Sequence, residues 1–524
     1  MSSIPATRKR VPKIQAPPEW GIDPVPKSHR VLGLLDYAVL WGDLGIGLLV
    51  MLAGTFLVPG LSLGPALLAI LVGTALGCLL LAVVGLIGSD TGVPTMVLLR
   101  PILGERGSWL PTALNALQLL GWTIFEFVIM GVAADAIGKN LFGFSHFTAW
   151  MVLFAIVVVL MALAGPVGFV RHWLEKFAVW VALGTGLWLT WHILATYDFA
   201  ALWAKAGDGS LPFWVAVDIV IALPISWLPL VADYNRFAKR SSRAFWGTLL
   251  GFFATSLWFL AMGATLMLGA GGSQNPGVPQ DPKDFATAFA LIAGWGALLI
   301  IVADETHNAW ADLYSAAVSM QNIFPKAKQR FLIVGLGLVA LVVAATLDIT
   351  RYQNFLFLIG SFFIPLFGIL VADYFVLRRR SYPELSAPDG LSASAGGPDP
   401  GLTVGEGVLA VDAGALAVDA GALAVGDSGK NAKGARKRSG PGLVDARGIF
   451  VWLMGVAVYH IANPTTLGAF FPKWQSAVPA ALTALGGSIP SFAVAFVAWL
   501  ALGLLLPRTP IASSRSGPSA GKGS

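Results

Sequence analysis

Charge is what this chain has least of. Only 12% of its 524 residues are charged, against 56% hydrophobic, and the mean hydropathy is +0.74. A soluble fold of this length needs more charge to cover its surface, so lipid is the solvent that fits, and a soluble enzyme, a nucleic-acid binder and a secreted disulfide scaffold are excluded. The net charge of +6 and pI near 9.4 therefore bear on topology rather than on nucleic acid. There is one cysteine, Cys78, inside an apolar run, so no intrachain disulfide can form. The GxxxxGK[ST] and HExxH patterns are missing too, which argues against an ATP-driven pump and a zinc-dependent membrane enzyme. No apolar stretch precedes Val31, so the first hydrophobic segment reads as a span and not a cleavable leader.

Long apolar runs are abundant. They fall near 34–58, 64–88, 110–137, 147–165, 174–195, 212–232, 245–270, 286–319, 330–347, 353–377, 447–462 and 488–506, which predicts an all-α membrane protein of twelve spans. Basic residues alternate between the connections. Arg100 and Arg106, Arg171 and Lys176, Arg236 to Arg243, Lys326 to Arg330 and Arg378 to Arg380 fall on the side of the N-terminus, while the opposite loops carry one basic residue or none. Short cytoplasmic loops collect Lys and Arg, so both termini are expected in the cytoplasm of a multi-pass cell-membrane protein. The expected organisation is a disordered basic tail over 1–30, a core over 31–378, a low-complexity cytoplasmic insert over 379–446, two further spans over 447–506 and a C-terminal tail over 507–524. The insert holds AVDAGAL twice, at 410–416 and 417–423, and is given no chemistry.

Two spans are interrupted. The first reads Trp41-Gly42-Asp43-Leu44-Gly45-Ile46-Gly47, and the sixth Leu223-Pro224-Ile225-Ser226-Trp227-Leu228-Pro229. In lipid a broken helix is tolerated where it lines a cavity, and breaks five spans apart in oppositely directed helices are the pattern of inverted repeats with a site near the midplane. Intramembrane ionisable groups usually mark such a pathway. The third span places Asn115, Gln118, Trp122 and Glu126 on one face, and the eighth places Asp304, Asn308, Asp312 and Ser315 on one face, with Glu305, Thr306 and His307 beside them. For Asn115, Gln118 and Ser315 a packing hydrogen bond between helices serves as well as a functional role. For Glu126 and the Asp304–Glu305 pair a functional role is expected. Trp122 and Trp227 suit a flat heteroaromatic ring, which binds well between indole faces while polar groups read its edge.

Several segments together resemble the nucleobase:cation symporter-1 family. They are WGDLGIGLLVMLAGTFLVPGLSLG at 41–64, GLIGSDTGVPTMVLLRPILGERGS at 85–108, NALQLLGWTIFE at 115–126, LPISWLPLVADYNRFAK at 223–239 and DLYSAAVSMQNIF at 312–324. Within that family they look closest to the permeases of hydroxymethylpyrimidine, a thiamine precursor, or of cytosine and purines. The resemblance implies a LeuT-like fold: a five-plus-five inverted repeat with discontinuous helices 1 and 6, then two extra helices. It also implies a substrate site with Trp122, Glu126, Trp227, Asn308 and Asp312, to which Gln118 of the polar stripe and Ser226 of the interrupted sixth span are added as candidates. Sodium-coupled members use carbonyls of the broken first helix with small hydroxyl residues of the eighth, whereas the corresponding turn here is Asp304-Glu305-Thr306-His307. A hard cation, sodium, could use carbonyls near Gly42 to Gly45 with Asp304 and Thr306. Equally, a buried Glu126, Asp43 or Glu305 could carry a proton, which is slightly preferred.

The expected function is thus a secondary active importer of a nucleobase-like heterocycle coupled to H+ or Na+, with no cofactor, no nucleic acid and no obligate protein partner. An amino-acid transporter on the same architecture is the first rival. It would bind a carboxylate at helix N-termini and tolerate loss of Glu126. A membrane-embedded enzyme and a channel are further rivals.

Overall fold

The computed structural model describes residues 20–165, 179–270, 282–346, 352–385, 443–464, 473 and 477–506. All of them belong to one compact unit, 1–386 with 441–510. Arg171, Lys176, both AVDAGAL copies and most of the expected insert lie outside the described residues.

The main helices are α1 (Leu34–Asp43), α2 (Leu48–Thr55), α3 (Leu63–Thr91), α4 (Trp109–Phe142), α5 (Phe147–Ala164), α6 (Val179–Thr196), α7 (Phe213–Ser226), α8 (Val231–Asn235), α9 (Ser241–Ala270), α10 (Pro282–Ile323), α11 (Gln329–Thr346), α12 (Tyr352–Val371), α13 (Ala446–Ala462) and α14 (Ser488–Leu505). Nine helices among the described residues are long and apolar enough to cross a membrane, and the bent pair α1–α2 makes a tenth span. The 42-residue α10 and the 17-residue α13 are not in that count.

The sequence periodicity underestimates α4 and α10, which run past the apolar windows at both ends. Their polar stripes are accommodated because they face other helices. Burial separates core from periphery: 89% of the apolar window of Phe213–Asn235 is buried, against 22% for Phe147–Ala164. The outer helices α5, α6 and α11 expose Leu160, Trp180, Leu187, Trp191, Phe331 and Leu338. Such a continuous apolar exterior is a liability in water and ordinary in lipid.

The helix packing repeats itself. The first span, α1–α2, packs on α9 as the sixth, α7–α8, packs on α3. Likewise α4 touches α5 and α11 as α10 touches α11 and α5, and α4 and α10 make the most extensive helix pairing among the described residues. Helices α12, α13 and α14 pack on one another beside this core.

One expectation requires correction. Residues 20–30 are not a loose tail. Val25 is buried and its N–H donates to the Gly92 carbonyl. The Arg30 guanidinium donates to the carbonyls of Val25, Ser89 and Thr91, the last two at the C-terminal end of α3. A helix C-terminus leaves carbonyls without intrahelical partners, and a nearby arginine satisfies them while complementing the helix dipole. Farther along, Leu32 forms an isolated parallel bridge to Ala238, and the Arg236 side chain reaches the Gly21 carbonyl.

Candidate functional site

The first break spans Leu44 to Gly47, and α1 and α2 meet across it at 60°. Two glycines make it feasible. Gly47 has φ +148°, and a Cβ there would lie 3.1 Å from Glu305 Oε1. Gly45 presses against α9, where a Cβ would come within 2.3 Å of Thr255 Oγ1. A side chain at Gly47 is strained by its backbone, and one at Gly45 has no room. Gly42, grouped with them on the sequence, packs against Gly251 of α9.

The break is held by α10. Glu305 Oε1 accepts hydrogen bonds from the Leu48 and Leu49 N–H groups at 2.7 and 3.4 Å, closing the N-terminus of α2. A carboxylate there satisfies orphan amides and suits the positive end of the helix dipole, a contribution of about 1–2 kcal/mol when partly buried. Asp43, at the C-terminus of α1, faces His307 with Nδ1 3.2 Å from Oδ2. Asp304 joins them, so that one ligand atom from each of the three lies within 4.8 Å of the others. Thr306 points elsewhere. Its hydroxyl donates to the Val302 carbonyl at 2.8 Å and lies 3.1 Å from Met130 Sδ.

The sixth span, Phe213–Asn235, is one apolar stretch whose helical winding changes at the second of its prolines, Pro229. Pro224 is inside α7, the helix ends at Ser226, and a 3-10 turn over Leu228–Leu230 leads into α8. The third span supplies neutral partners to this break. Gln118 Nε2 donates to the Ser226 carbonyl at 2.8 Å and Asn115 Nδ2 to the Pro229 carbonyl at 3.4 Å.

Between the two breaks lies a cavity. Of the residues singled out on the sequence, Trp122, Glu126, Ser226, Trp227, Glu305 and Asn308 line it. Gln118 and Asp312 are buried without lining it, Gln118 because its amide is committed to the backbone of the sixth span. Trp122 meets Phe355 of α12 edge to face at 5.3 Å, and Trp227 meets Trp41 at 6.2 Å. Two oxygens of lining residues, Glu126 Oε2 and Asn308 Oδ1, are buried without a hydrogen-bond partner among the described residues. Most buried polar atoms in proteins are paired, so unpaired ones facing a cavity point to a ligand. Leu44, Ile46 and Gly47 of the first interruption and Leu223 of the sixth span, with Leu49 and Val50, complete the lining together with Phe252 of α9, which carries no sequence signal that separates it from the other phenylalanines.

Solved structures place this architecture. Mhp1, described as a nucleobase-cation-symport-1 family transporter in a closed conformation with bromovinylhydantoin bound, superposes with a TM-score of 0.68 at 20% identity, over 93% of this chain and 96% of that one. Its inward-facing conformation gives 0.64 over 95% and 96%. The fold is therefore that of a LeuT-like membrane transporter. The family described as permease for cytosine/purines, uracil, thiamine, allantoin matches residues 24–386, and the chain belongs to it, the nucleobase:cation symporter-1 family. Its members are permeases and not enzymes. Among curated relatives, the hydantoin permease of Microbacterium maritypicum is 25% identical over 379 residues, covering 68% of this chain and 76% of that protein. The cytosine permease of Escherichia coli strain K12 is 28% identical over 372 residues, covering 68% and 81%.

Proposed function

We propose that this permease is a secondary active importer of a planar, uncharged heterocycle of the cytosine, purine or hydroxymethylpyrimidine kind, driven by a cation gradient through alternating access. The carrying observation is that the breaks of the first and sixth spans share one cavity bearing two indoles, Trp122 and Trp227, and two unspent buried oxygens, Glu126 Oε2 and Asn308 Oδ1. A flat ring fills the space beside the indoles, and its N–H groups meet the oxygens. Glu126 and Asn308 read the ring edge, Ser226 supplies a further polar group, and Gln118 holds the sixth-span break in position. Asp312 contributes to the polar face of α10 from outside the cavity.

The architecture behind this reading is twelve spans in which five helices are repeated upside down and followed by two more. The packing recurring at a five-span offset, and the bend in the first span, support it. Both termini are assigned to the cytoplasm of a cell-membrane protein. The tying of Arg30, Ser241 and Arg380 to the end of α3, at Asp90 or its neighbouring carbonyls, gathers at one end connections that the basic-residue pattern assigns to one side.

The amino-acid rival loses ground at α2. In that mode a substrate carboxylate docks on the N-terminus of a half-helix. Here Glu305 already takes the Leu48 and Leu49 amides, and a second carboxylate beside it would be repelled.

Purified protein should show a saturable rise in melting temperature with at least one of cytosine, uracil, adenine, hypoxanthine, allantoin or hydroxymethylpyrimidine, because a ligand binding only the folded state stabilises it by mass action. Indifference to every flat ring, together with stabilisation by a free amino acid, would overturn the reading.

A further inference from the structure

The two half-helix ends at the first break are served differently. The N-terminus of α2 is closed by Glu305, while the C-terminus of α1 presents its negative pole and the buried Asp43 carboxylate, surroundings in which discontinuous membrane helices hold a coupling cation. A sodium ion is hard and takes oxygen donors. The residues present fit it poorly. A side chain already lies against that end: His307 Nδ1 is 3.2 Å from Asp43 Oδ2, with both residues buried. The neighbouring hydroxyl, on Thr306, is directed to the Val302 carbonyl and to Met130. Asp304, 3% exposed and with neither carboxylate oxygen hydrogen-bonded among the described residues, completes a trio of two oxygens and one imidazole nitrogen.

We propose that His307 is the built-in occupant of the coupling-cation position. Its ring, anchored on Asp43 and flanked by Asp304, makes the bridge between the first span and α10 that a transported Na+ would otherwise make, and it keeps Na+ out. This assignment rests on the cation-coupled reading above for its meaning, but its test uses no heterocycle, so the two can fail separately.

The test is the melting temperature of the purified full-length chain in detergent, measured at constant ionic strength while choline chloride is replaced by NaCl, with MnCl2 and ZnCl2 as separate arms. The wild-type protein is expected to show no saturable shift with any of the three. His307→Ser puts a hydroxyl where the ring was and leaves Asp43 and Asp304 facing it, so this variant is expected to gain a saturable upward shift of several degrees with Na+. If His307→Ser does not fold, His307→Asn, which offers an amide oxygen, takes its place. A saturable Na+ shift in the wild-type protein overturns the proposal. So does a saturable Mn2+ or Zn2+ shift, which would make the trio a divalent-metal site, and so does a folded position-307 variant indifferent to Na+.

Discussion

The two helix breaks solve the same problem with different chemistry. At the first, glycines allow the chain to unwind, the freed Leu48 amide is answered by Glu305 of α10, and the Asp43 side chain meets His307 of the same helix. At the second, the chain is turned by Trp227 and a 3-10 segment, and its carbonyls are answered by the neutral amides of Gln118 and Asn115 from α4. An ionisable break can respond to a cation, and a neutral break can face an uncharged ring without competing for it. The division matches the proposed function, in which the ring lies in the cavity and the coupling cation is handled beside it.

The largest expected effect comes from the charged break. Glu305→Ala strips the cap from α2 and leaves buried amides unpaired, which should abolish uptake and destabilise the protein by about 3 kcal/mol, read by chemical denaturation in detergent. A near wild-type midpoint would mean that the first break does not depend on its carboxylate. Glu126→Gln comes next and should separate recognition from stability. It is expected to weaken ring binding at least about tenfold, or about 1.4 kcal/mol, in a titration, while the melting temperature stays level or rises because a neutral amide is less costly to bury there than a carboxylate. A fall in melting temperature with unchanged affinity would assign Glu126 to packing.

Smaller changes probe the neutral break. Gln118→Ala orphans the Ser226 carbonyl and should cost about 1–2 kcal/mol of stability, with a matching loss of affinity if that carbonyl orients Trp227. Trp227→Phe keeps an aromatic face and loses part of its area, so a loss of about 0.5–1.5 kcal/mol in binding is expected. A loss as large as that of Glu126→Gln would shift recognition from the ring edge to the ring face.

How much of this was legible beforehand depends on distance along the chain. The stripe of Asn115, Gln118, Trp122 and Glu126 follows from helical spacing alone, and all four residues are buried. Its division of labour does not follow. The first two residues turn to the backbone of the sixth span and the last two to the cavity, because the third span passes the break before it reaches the open space. The pairing of Asp43 with His307 joins residues 264 apart and left no trace in local pattern. Phe252 is one of 31 phenylalanines, and only packing shows that it lines the cavity. Ordering of residues 20–30 escaped composition as well, since Arg30 reads as tail charge until its carbonyl partners on α3 are known.

The strap formed by that segment has a mechanical result. Leu32 is bridged to Ala238, and the Arg236 guanidinium holds the Gly21 carbonyl at 2.6 Å, so the lead-in to the first span and the lead-out of the sixth are laced together. Any separation of these two segments at that end would first have to open the Leu32–Ala238 bridge and release the Gly21 carbonyl from Arg236.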